Sequence, residues 1–297
     1  MPPGMNTSFN ALKNLYPHIR LRVDMQASAF LKLLRPGNCV MAAAATYIGY
    51  AVSAGSMGFQ LETGYALAAA FLVCGAGQAI NDFFDKDIDA KQRPTRAIPS
   101  GQITANAARN YAILLFLAGN ALAYSINATA FFIALAFSGL LILYSASLSR
   151  HKFIGNWVVA AGTAITFVFG ATVTQNFTPA VHFALTALFA NAARELIKDA
   201  EDLETDKGQK LTLPMLAGKW TLRVLVFTLY FLAVLLAVLY WLAGLVRGPF
   251  YIYGIGFAAA AFAASYYFFV KQRFASASRW SKHGMLLALL AFLGSVL

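Results

Sequence analysis

The sequence NDFFDKDID, residues 81–89, closes a long apolar run and carries four carboxylates. A second segment, RELIKDAEDLETD at residues 194–206, closes another apolar run and carries six more. Together the two segments hold ten of the twelve carboxylates in the chain. Acid is therefore concentrated at the ends of two apolar, helix-length segments and is nearly absent elsewhere.

Both acidic segments contain the spacing Asp-x-x-Asp-x-x-x-Asp. The residues that form it are Asp82, Asp85 and Asp89 in the first segment and Asp199, Asp202 and Asp206 in the second. On a helix, positions i, i+3 and i+7 share one face, so each segment predicts a stripe of like charge. Such a stripe repels itself unless a cation lies on it, which predicts a divalent-cation site.

The rest of the chain is apolar. Hydrophobic residues make up 59% of the 297 positions and charged residues 12%, against roughly 25% charged in soluble domains. Nine apolar runs approach the roughly 17–25 residues that a helix needs to cross a bilayer. They lie at about residues 38–58, 64–84, 111–127, 128–148, 154–174, 179–197, 221–243, 250–270 and 283–297, with a split near Asn127. The sequence predicts an all-α integral membrane protein with about nine transmembrane helices.

Basic residues are distributed asymmetrically along these runs. If the N-terminal leader and every second connection lie on one side, that side carries 22 of the 23 Lys and Arg, because only Arg247 falls on the other. The positive-inside rule places that side in the cytoplasm. The N-terminus and both acidic segments are then cytoplasmic, and the C-terminus lies outside. Topology and anionic lipid headgroups account for the net charge of +11, and no nucleic-acid partner is needed to explain it.

We divide the chain into a cytoplasmic leader, residues 1–35, and a transmembrane domain, residues 36–297. Within the leader, residues 27–34 could be an amphipathic helix on the membrane surface or an extension of the first span. Cys39 and Cys74 both fall inside apolar runs, so no disulfide framework is predicted. The four histidines are scattered, which argues against a His-ligated metal.

Magnesium is the cation that best suits this donor set. It takes oxygen ligands, keeps water molecules and commonly shares its site with substrate phosphates. Asn81 adds a neutral oxygen four residues before Asp85, on the same helix face. Carboxylates at the ends of membrane helices are costly, so a functional role is the default hypothesis for them.

Cations accompany the acidic stripes. Arg93 and Arg96 follow the first, and Lys198 and Lys207 lie within or just after the second. Such groups bind phosphate oxygens, although basic loops also set topology. Acids, Mg²⁺ and cations at the mouth of an apolar bundle predict a site for a prenyl diphosphate. Aromatic faces can shield the allylic cation left when diphosphate departs, and the candidates are Phe83, Phe84, Tyr144, Trp157 and Phe167.

These segments resemble the motifs of the UbiA superfamily of membrane prenyltransferases, over about residues 30–297. The first motif matches at Asn81, Asp82, Asp85 and Asp89 and continues from Arg93 to Gly101. The second matches from Asp202 to Gly208. The resemblance implies about nine transmembrane helices around a central cavity, an active site at the cytoplasmic face, Mg²⁺ as cofactor, and transfer of an isoprenoid chain from its diphosphate to an acceptor.

The resemblance also implies roles for the matching residues. The metal ligands would be Asn81, Asp85, Asp202 and Asp206, with support from Asp82, Asp89 and Asp199. The diphosphate-binding cations would be Arg93, Arg96, Lys198 and Lys207. The implied catalytic residues are Asp82, Asp85, Asp202, Asp206 and Tyr144. The family carries a lysine in the loop after its fourth span where this chain has Ser149, so Arg150 or Lys152 is expected to supply that cation.

Further segments resemble the archaeal branch of the family that builds ether lipids. They are residues 34–39, 74–75, 194–199, 277–280 and 294–295. This likeness implies geranylgeranyl diphosphate as the donor and a lipid phosphate, geranylgeranylglyceryl phosphate, as the acceptor. An aromatic or tetrapyrrole acceptor would keep the same mechanism and stays open. A cation or phosphate transporter is a more distant alternative, because transporter sites usually lie near the bilayer midplane. The oligomeric state is not predicted.

Overall fold

The computed structural model describes residues 27–147, 152–203 and 212–297, with backbone alone at 152–154. Within these ranges the chain forms helices and connecting segments, with no strand. The labelled helices are α1 (Pro36–Ala54), α2 (Leu61–Phe84), α3 (Lys86–Gln92), α4 (Ala105–Ile126), α5 (Ala128–Ala146), α6 (Lys152–Ala171), α7 (Phe177–Glu201), α8 (Leu213–Leu216), α9 (Lys219–Leu242), α10 (Pro249–Val270) and α11 (Phe274–Gly294).

Nine of these helices in the described ranges correspond in order to the nine predicted apolar runs. Four of them, α2, α5, α9 and α10, are long and apolar enough along their described residues to cross a bilayer by length and composition alone. Others carry polar side chains along their length: α7, for example, contains Asn191, Arg194, Glu195 and Lys198. The protein is an all-α, multi-pass membrane protein, as the composition predicted.

Asn127 separates α4 from α5, which confirms the predicted split. Its side-chain oxygen accepts a hydrogen bond from the Ala130 amide at 2.9 Å and caps α5. Its amide nitrogen donates to the Thr172 carbonyl at 2.8 Å, at the end of α6. One polar side chain therefore starts a helix and ties that start to a neighbouring helix end.

The last long helix begins at Phe274, well before the predicted position 283. The residues between these positions include Arg279 and Lys282, which lower the local hydropathy below that of a plain apolar span. They nevertheless form helix because Ala277 and Ser281 are buried on one face of it. The charged side chains of this stretch are thus carried on a helix and not on a loop.

Residues 27–34 are helical, but they do not extend α1. The helix of residues 27–34 ends at Arg35, whose backbone angles are left-handed, φ 48° and ψ 66°. Ala29 and Leu33 are 0% and 1% exposed and belong to an apolar cluster with residues of α2 and α4. The segment is therefore anchored on the neighbouring bundle by its own apolar face.

Helices α1 and α6 cross in backbone contact. A Cβ added at Gly49 would lie 2.1 Å from the Phe167 carbonyl oxygen, and one added at Gly170 would lie 1.9 Å from the Thr46 carbonyl oxygen. Small residues allow membrane helices to approach this closely, because lipid offers little hydrophobic drive for association. The two glycines fix one wall of the central cavity described below.

Three apolar clusters surround that cavity. The largest joins α1, α6, α7, α9, α10 and α11. The second joins residues 27–34, α2, α4 and the segment before α4, and the third joins α2, α4, α5 and α6. Members of all three line the same cavity, for example Phe292, Val73 and Phe169. The cavity is thus the space where the three clusters meet.

Candidate active site

The central cavity has a volume of about 990 Å³ and receives side chains from α1, α2, α3, α5, α6, α7, α9, α10 and α11. Its lining changes from charged to apolar along individual helices. On α2 the lining residues run from Asn81 back to Ala69, and on α7 from Lys198 back to Thr186. Because both helices end at their acidic segments, the cavity has a charged mouth and an apolar interior.

Asp85 and Asp202 occupy matching positions at this mouth. Each directly follows a long helix, with backbone angles of φ −84°, ψ 3° and φ −87°, ψ 6°, respectively. Their amides donate to Asn81 and Lys198 carbonyls at 2.9 and 2.8 Å. Both residues line the cavity. The structure therefore brings together one carboxylate from each acidic segment.

The first acidic segment is not one continuous helix. Helix α2 ends at Phe84 and α3 begins at Lys86, so the chain turns at Asp85. Asp89 lies beyond that turn, where it is 4% exposed, lines the cavity and accepts from Arg96 at 2.5 Å. Arg96 Nη1 contacts both Asp82 and Asp89, so these two carboxylates lie side by side across the turn.

Asp82 and Asp199 are not among the described residues that line the cavity. Asp82 is 6% exposed and forms ion pairs with Arg35 and, at 3.3 Å, with Arg96. Asp199 is 1% exposed and accepts from the Asn156 amide at 2.6 Å. In this structure both carboxylates serve as partners of neighbouring helices, whereas the sequence analysis expected ligands facing the site.

The donor chemistry at the mouth fits Mg²⁺. The side-chain amide nitrogen of Asn81 donates to the Asp85 carboxylate at 3.0 Å, so the side-chain oxygen of Asn81 is the atom suited to a metal. Within the described residues, no group of three or more Asp, Glu, His or Cys side chains could hold an ion by itself. A hard cation that completes its shell with water and substrate phosphate is compatible with oxygen ligands from two separate helices.

Cations at the mouth are mostly held by acids. Glu195, which is 6% exposed, accepts from Arg194 and Lys198, each at 2.9 Å. Arg96 bridges Asp82 and Asp89, while Arg93 lines the cavity without an ion pair to a described residue. The predicted cations Arg93, Arg96 and Lys198 therefore meet in one cavity.

Several predicted residues fall outside the described ranges: Arg150, Asp206 and Lys207. Lys152 begins α6, and only its backbone is described.

Two of the five aromatic candidates, Tyr144 and Phe167, line the cavity. Phe84 and Trp157 do not, and they are 40% and 39% exposed. Phe83 packs with the second apolar cluster. Further aromatic side chains that the sequence did not single out also line the cavity, namely Phe137, Phe169, Phe262 and Phe292.

Polar residues of α7 that were not predicted as site residues also line the cavity. On α7, Asn191 and Glu195 continue the spacing that leads to Lys198 and Asp202, and all four line the cavity. Asn191 donates to Thr163 of α6 at 2.8 Å. Polar residues every three or four positions in an otherwise apolar helix were the available signal for a cavity-facing stripe.

Replacing Arg96 by alanine is expected to lower the free energy of unfolding by about 1–3 kcal/mol, because Asp89 loses this partner and Asp82 keeps only Arg35. Arg96→Lys should recover part of the lost stability, since lysine keeps the positive charge but lacks the paired N–H donors of the guanidinium group. Thermal unfolding in detergent measures both variants. Arg109→Ala is the control, because it removes an exposed arginine that contacts Asn110. Equal losses for Arg96→Ala and Arg109→Ala would contradict the structural role.

An all-α membrane bundle with an apolar cavity, an acidic mouth and surrounding cations defines a class of protein that handles an anionic lipid-like substrate. Residues 42–293 match the model of the UbiA prenyltransferase family. The chain is 41% identical over 274 residues to digeranylgeranylglyceryl phosphate synthase of Methanopyrus kandleri, covering 91% of this chain and 99% of that protein. The chain belongs to the UbiA prenyltransferase family, which confirms the resemblance drawn from the motifs.

Solved structures agree with this assignment. A structure of digeranylgeranylglyceryl phosphate synthase in membranes superposes with a TM-score of 0.78 and 31% identity, covering 91% of this chain and 99% of that one. A UbiA homolog from Archaeoglobus fulgidus bound to DMAPP and Mg²⁺ superposes with a TM-score of 0.60 and 18% identity, covering 87% and 98%. At 18% identity, the likeness to the Archaeoglobus fulgidus homolog concerns the fold alone.

Proposed function

We propose that this protein transfers a geranylgeranyl group from geranylgeranyl diphosphate to the free hydroxyl of geranylgeranylglyceryl phosphate. The products are digeranylgeranylglyceryl phosphate and diphosphate, as in archaeal ether-lipid biosynthesis. The observation that carries the proposal is the single cavity in which Asp85 and Asp202 share a mouth above an apolar interior. The choice of acceptor is supported by the synthase from Methanopyrus kandleri, which is similar over nearly its whole length.

In the proposed reaction, the bond between C1 of the donor and its diphosphate oxygen breaks, and the electron pair leaves with diphosphate. The acceptor hydroxyl oxygen bonds to C1 and releases its proton to water. Arg93 and Lys198 would hold the diphosphate at the mouth, and Arg96 would remain partly engaged with Asp89. Charge-assisted hydrogen bonds of this kind position the leaving group and stabilise its developing charge.

Asn81, Asp85 and Asp202 would hold Mg²⁺, together with Asp206 of the second motif. The bound ion would neutralise charge on the departing diphosphate. Divalent metal use by this fold is supported by the Archaeoglobus fulgidus homolog bound to DMAPP and Mg²⁺. Asp82, Asp89 and Asp199 would act from the surrounding shell, through the partners described above.

The apolar interior would take the prenyl chain of the donor. Tyr144 and Phe167 line the cavity and could place aromatic faces against positive charge developing at C1. The charged mouth excludes the chain and the apolar interior excludes the diphosphate, so a prenyl diphosphate has one favourable orientation.

We further propose that the mouth faces the cytoplasm and that the C-terminus lies outside, with residues 1–35 as a cytoplasmic leader and 36–297 as the prenyltransferase domain. The distribution of Lys and Arg supports this orientation by the positive-inside rule. The charged residues at the ends of α2 and α7 and near the start of α11 fit a common side, because α11 runs opposite to the other two in the nine-span order.

Diphosphate release by purified protein in detergent tests the proposed function. We expect release from geranylgeranyl diphosphate to require both Mg²⁺ and geranylgeranylglyceryl phosphate, and to yield a doubly prenylated lipid. Release with an aromatic or tetrapyrrole acceptor alone would keep the mechanism and overturn the acceptor. If no acceptor leads to diphosphate release, the proposed prenyl transfer is contradicted and the transporter alternative is favoured.

A further inference from the structure

Helix α11 presents three basic side chains to the cavity. Arg279, Lys282 and His283 all line it, and their spacing of three and four positions places them on one helix face. Farther along the same helix the lining continues with apolar residues such as Leu289 and Phe292. The polar-to-apolar order seen on α2 and α7 thus recurs on a third helix, here with basic residues and no acidic residue.

These cations lie on the helix itself and not in the connection that precedes it. At about 1.5 Å per residue, Lys282 lies roughly 12 Å beyond Phe274, the first residue of α11. Lys271 and Arg273 already provide positive charge in the connection before α11, where topology needs it. Topology alone therefore does not require Arg279 and Lys282.

The α11 cations resemble Arg93 and differ from most other basic residues of the mouth in having no acidic partner among the described residues. Arg35, Arg96, Arg194 and Lys198 each pair with an acid. Within the described residues, Arg279 and Lys282 form no ion pair; Arg279 contacts the Ser276 hydroxyl at 3.4 Å. The His283 ring packs edge-on against Trp280, with centroids 5.5 Å apart. Positive charge on this wall therefore lacks a described carboxylate to neutralise it.

We propose that Arg279 and Lys282, with His283 beside them, bind the phosphate monoester headgroup of the acceptor lipid. This inference rests on the proposed function, in which two anionic groups must occupy one cavity. The diphosphate has the acidic mouth, its metal and the cations Arg93, Arg96 and Lys198, so the acceptor phosphate needs positive charge of its own to avoid repulsion. The α11 wall supplies that charge, and the apolar lining beyond it, at Leu289 and Phe292, suits the acceptor's prenyl chain.

Direct binding tests this inference without any turnover. The probe is radiolabelled geranylgeranylglyceryl phosphate, added to purified full-length protein without donor. The double variant Arg279→Gln, Lys282→Gln keeps part of the side-chain stems and removes two charges. We expect it to bind the probe at least roughly tenfold more weakly, because charged hydrogen bonds to phosphate are lost. The matched control is Lys271→Gln, Arg273→Gln, which removes the same two residue types outside the cavity and should bind normally.

A charge-preserving swap, Arg279→Lys with Lys282→Arg, guards against a folding defect and should retain binding within a few-fold. Dephosphorylated geranylgeranylglycerol should bind weakly to the wild type and equally weakly to the double Gln variant. Equal binding of the phosphorylated probe by wild type and double Gln variant would overturn the site. Displacement by inorganic phosphate as effective as that by unlabelled lipid would identify a free-phosphate site and overturn the lipid assignment.

The proposed function and this site can fail separately. Wild-type protein that binds the probe through α11 but transfers no prenyl group would keep the site and reject the function. Wild-type protein that transfers the group, with a KM for acceptor unchanged in the double Gln variant, would keep the function and reject the site.

Discussion

Alanine at Asp85 or at Asp202 is expected to abolish prenyl transfer, with a loss of roughly a thousandfold or more in kcat. Each change removes an oxygen ligand from the proposed metal site, and charge stabilisation by a bound metal is worth several kcal/mol. Both residues sit just past the end of a long helix and are only partly buried, so little core packing is lost. Melting temperatures should therefore stay near that of the wild type.

Neighbouring acids provide matched controls for this pair. Asp87 and Glu201 belong to the same two acidic segments, yet both are exposed and neither lines the cavity. Asp87→Ala and Glu201→Ala should keep activity within a few-fold. Diphosphate release by the four purified variants, each checked by thermal unfolding, is the measurement. Substantial turnover by Asp85→Ala or Asp202→Ala would count against the metal assignment.

Alanine at Gly170 should produce the largest loss of stability among single-methyl changes. The added Cβ would lie 1.9 Å from the Thr46 carbonyl oxygen, where backbone and not a flexible side chain must yield. Overpacking usually costs about 1–3 kcal/mol, and a rigid backbone contact should reach or exceed the upper end. Gly49→Ala faces Phe167 across the same crossing and should behave alike.

Gly139→Ala is the control for the crossing, because a Cβ there has nothing within 4 Å. Alanine normally favours a helix over glycine by about 0.5–1 kcal/mol, so this variant should unfold at the same temperature or slightly higher. The measurement is the thermal unfolding temperature of the Gly170→Ala and Gly139→Ala proteins in detergent. A Gly170→Ala protein as stable as Gly139→Ala would contradict the close approach of α1 and α6.

Hydropathy alone anticipated most of the helical architecture, because a helix that crosses a bilayer needs a run of about 20 predominantly apolar residues. Asn127 was readable as a break, since a capping residue interrupts two apolar stretches. The start of α11 was not readable, because Arg279 and Lys282 lower the mean hydropathy, although they line the cavity while other positions of the same helix do not. A hydropathy window averages over all faces of a helix, so it cannot separate these two environments.

The site was predictable in composition and less so in geometry. Motif spacing identified Asp85, Asp202 and the nearby cations. It could not reveal that Asp82 pairs with Arg35, because 47 positions separate them and only tertiary packing joins α1 to α2. Nor could helical periodicity reveal that the helix is interrupted at Asp85, between α2 and α3.

Position 35 tolerates few replacements, because the fold makes two independent demands on one residue. The backbone there adopts left-handed angles that glycine accepts most easily, and the side chain must reach both Gln78, at 2.6 Å, and Asp82. Glycine would accept the left-handed backbone angles but would lose the ion pair with Asp82. Lysine would keep the positive charge but could not direct two separate N–H donors at Gln78 and Asp82. Loss of the Arg35 side chain would leave Asp82 with Arg96 alone, so we expect changes at position 35 to be accompanied by changes at position 82.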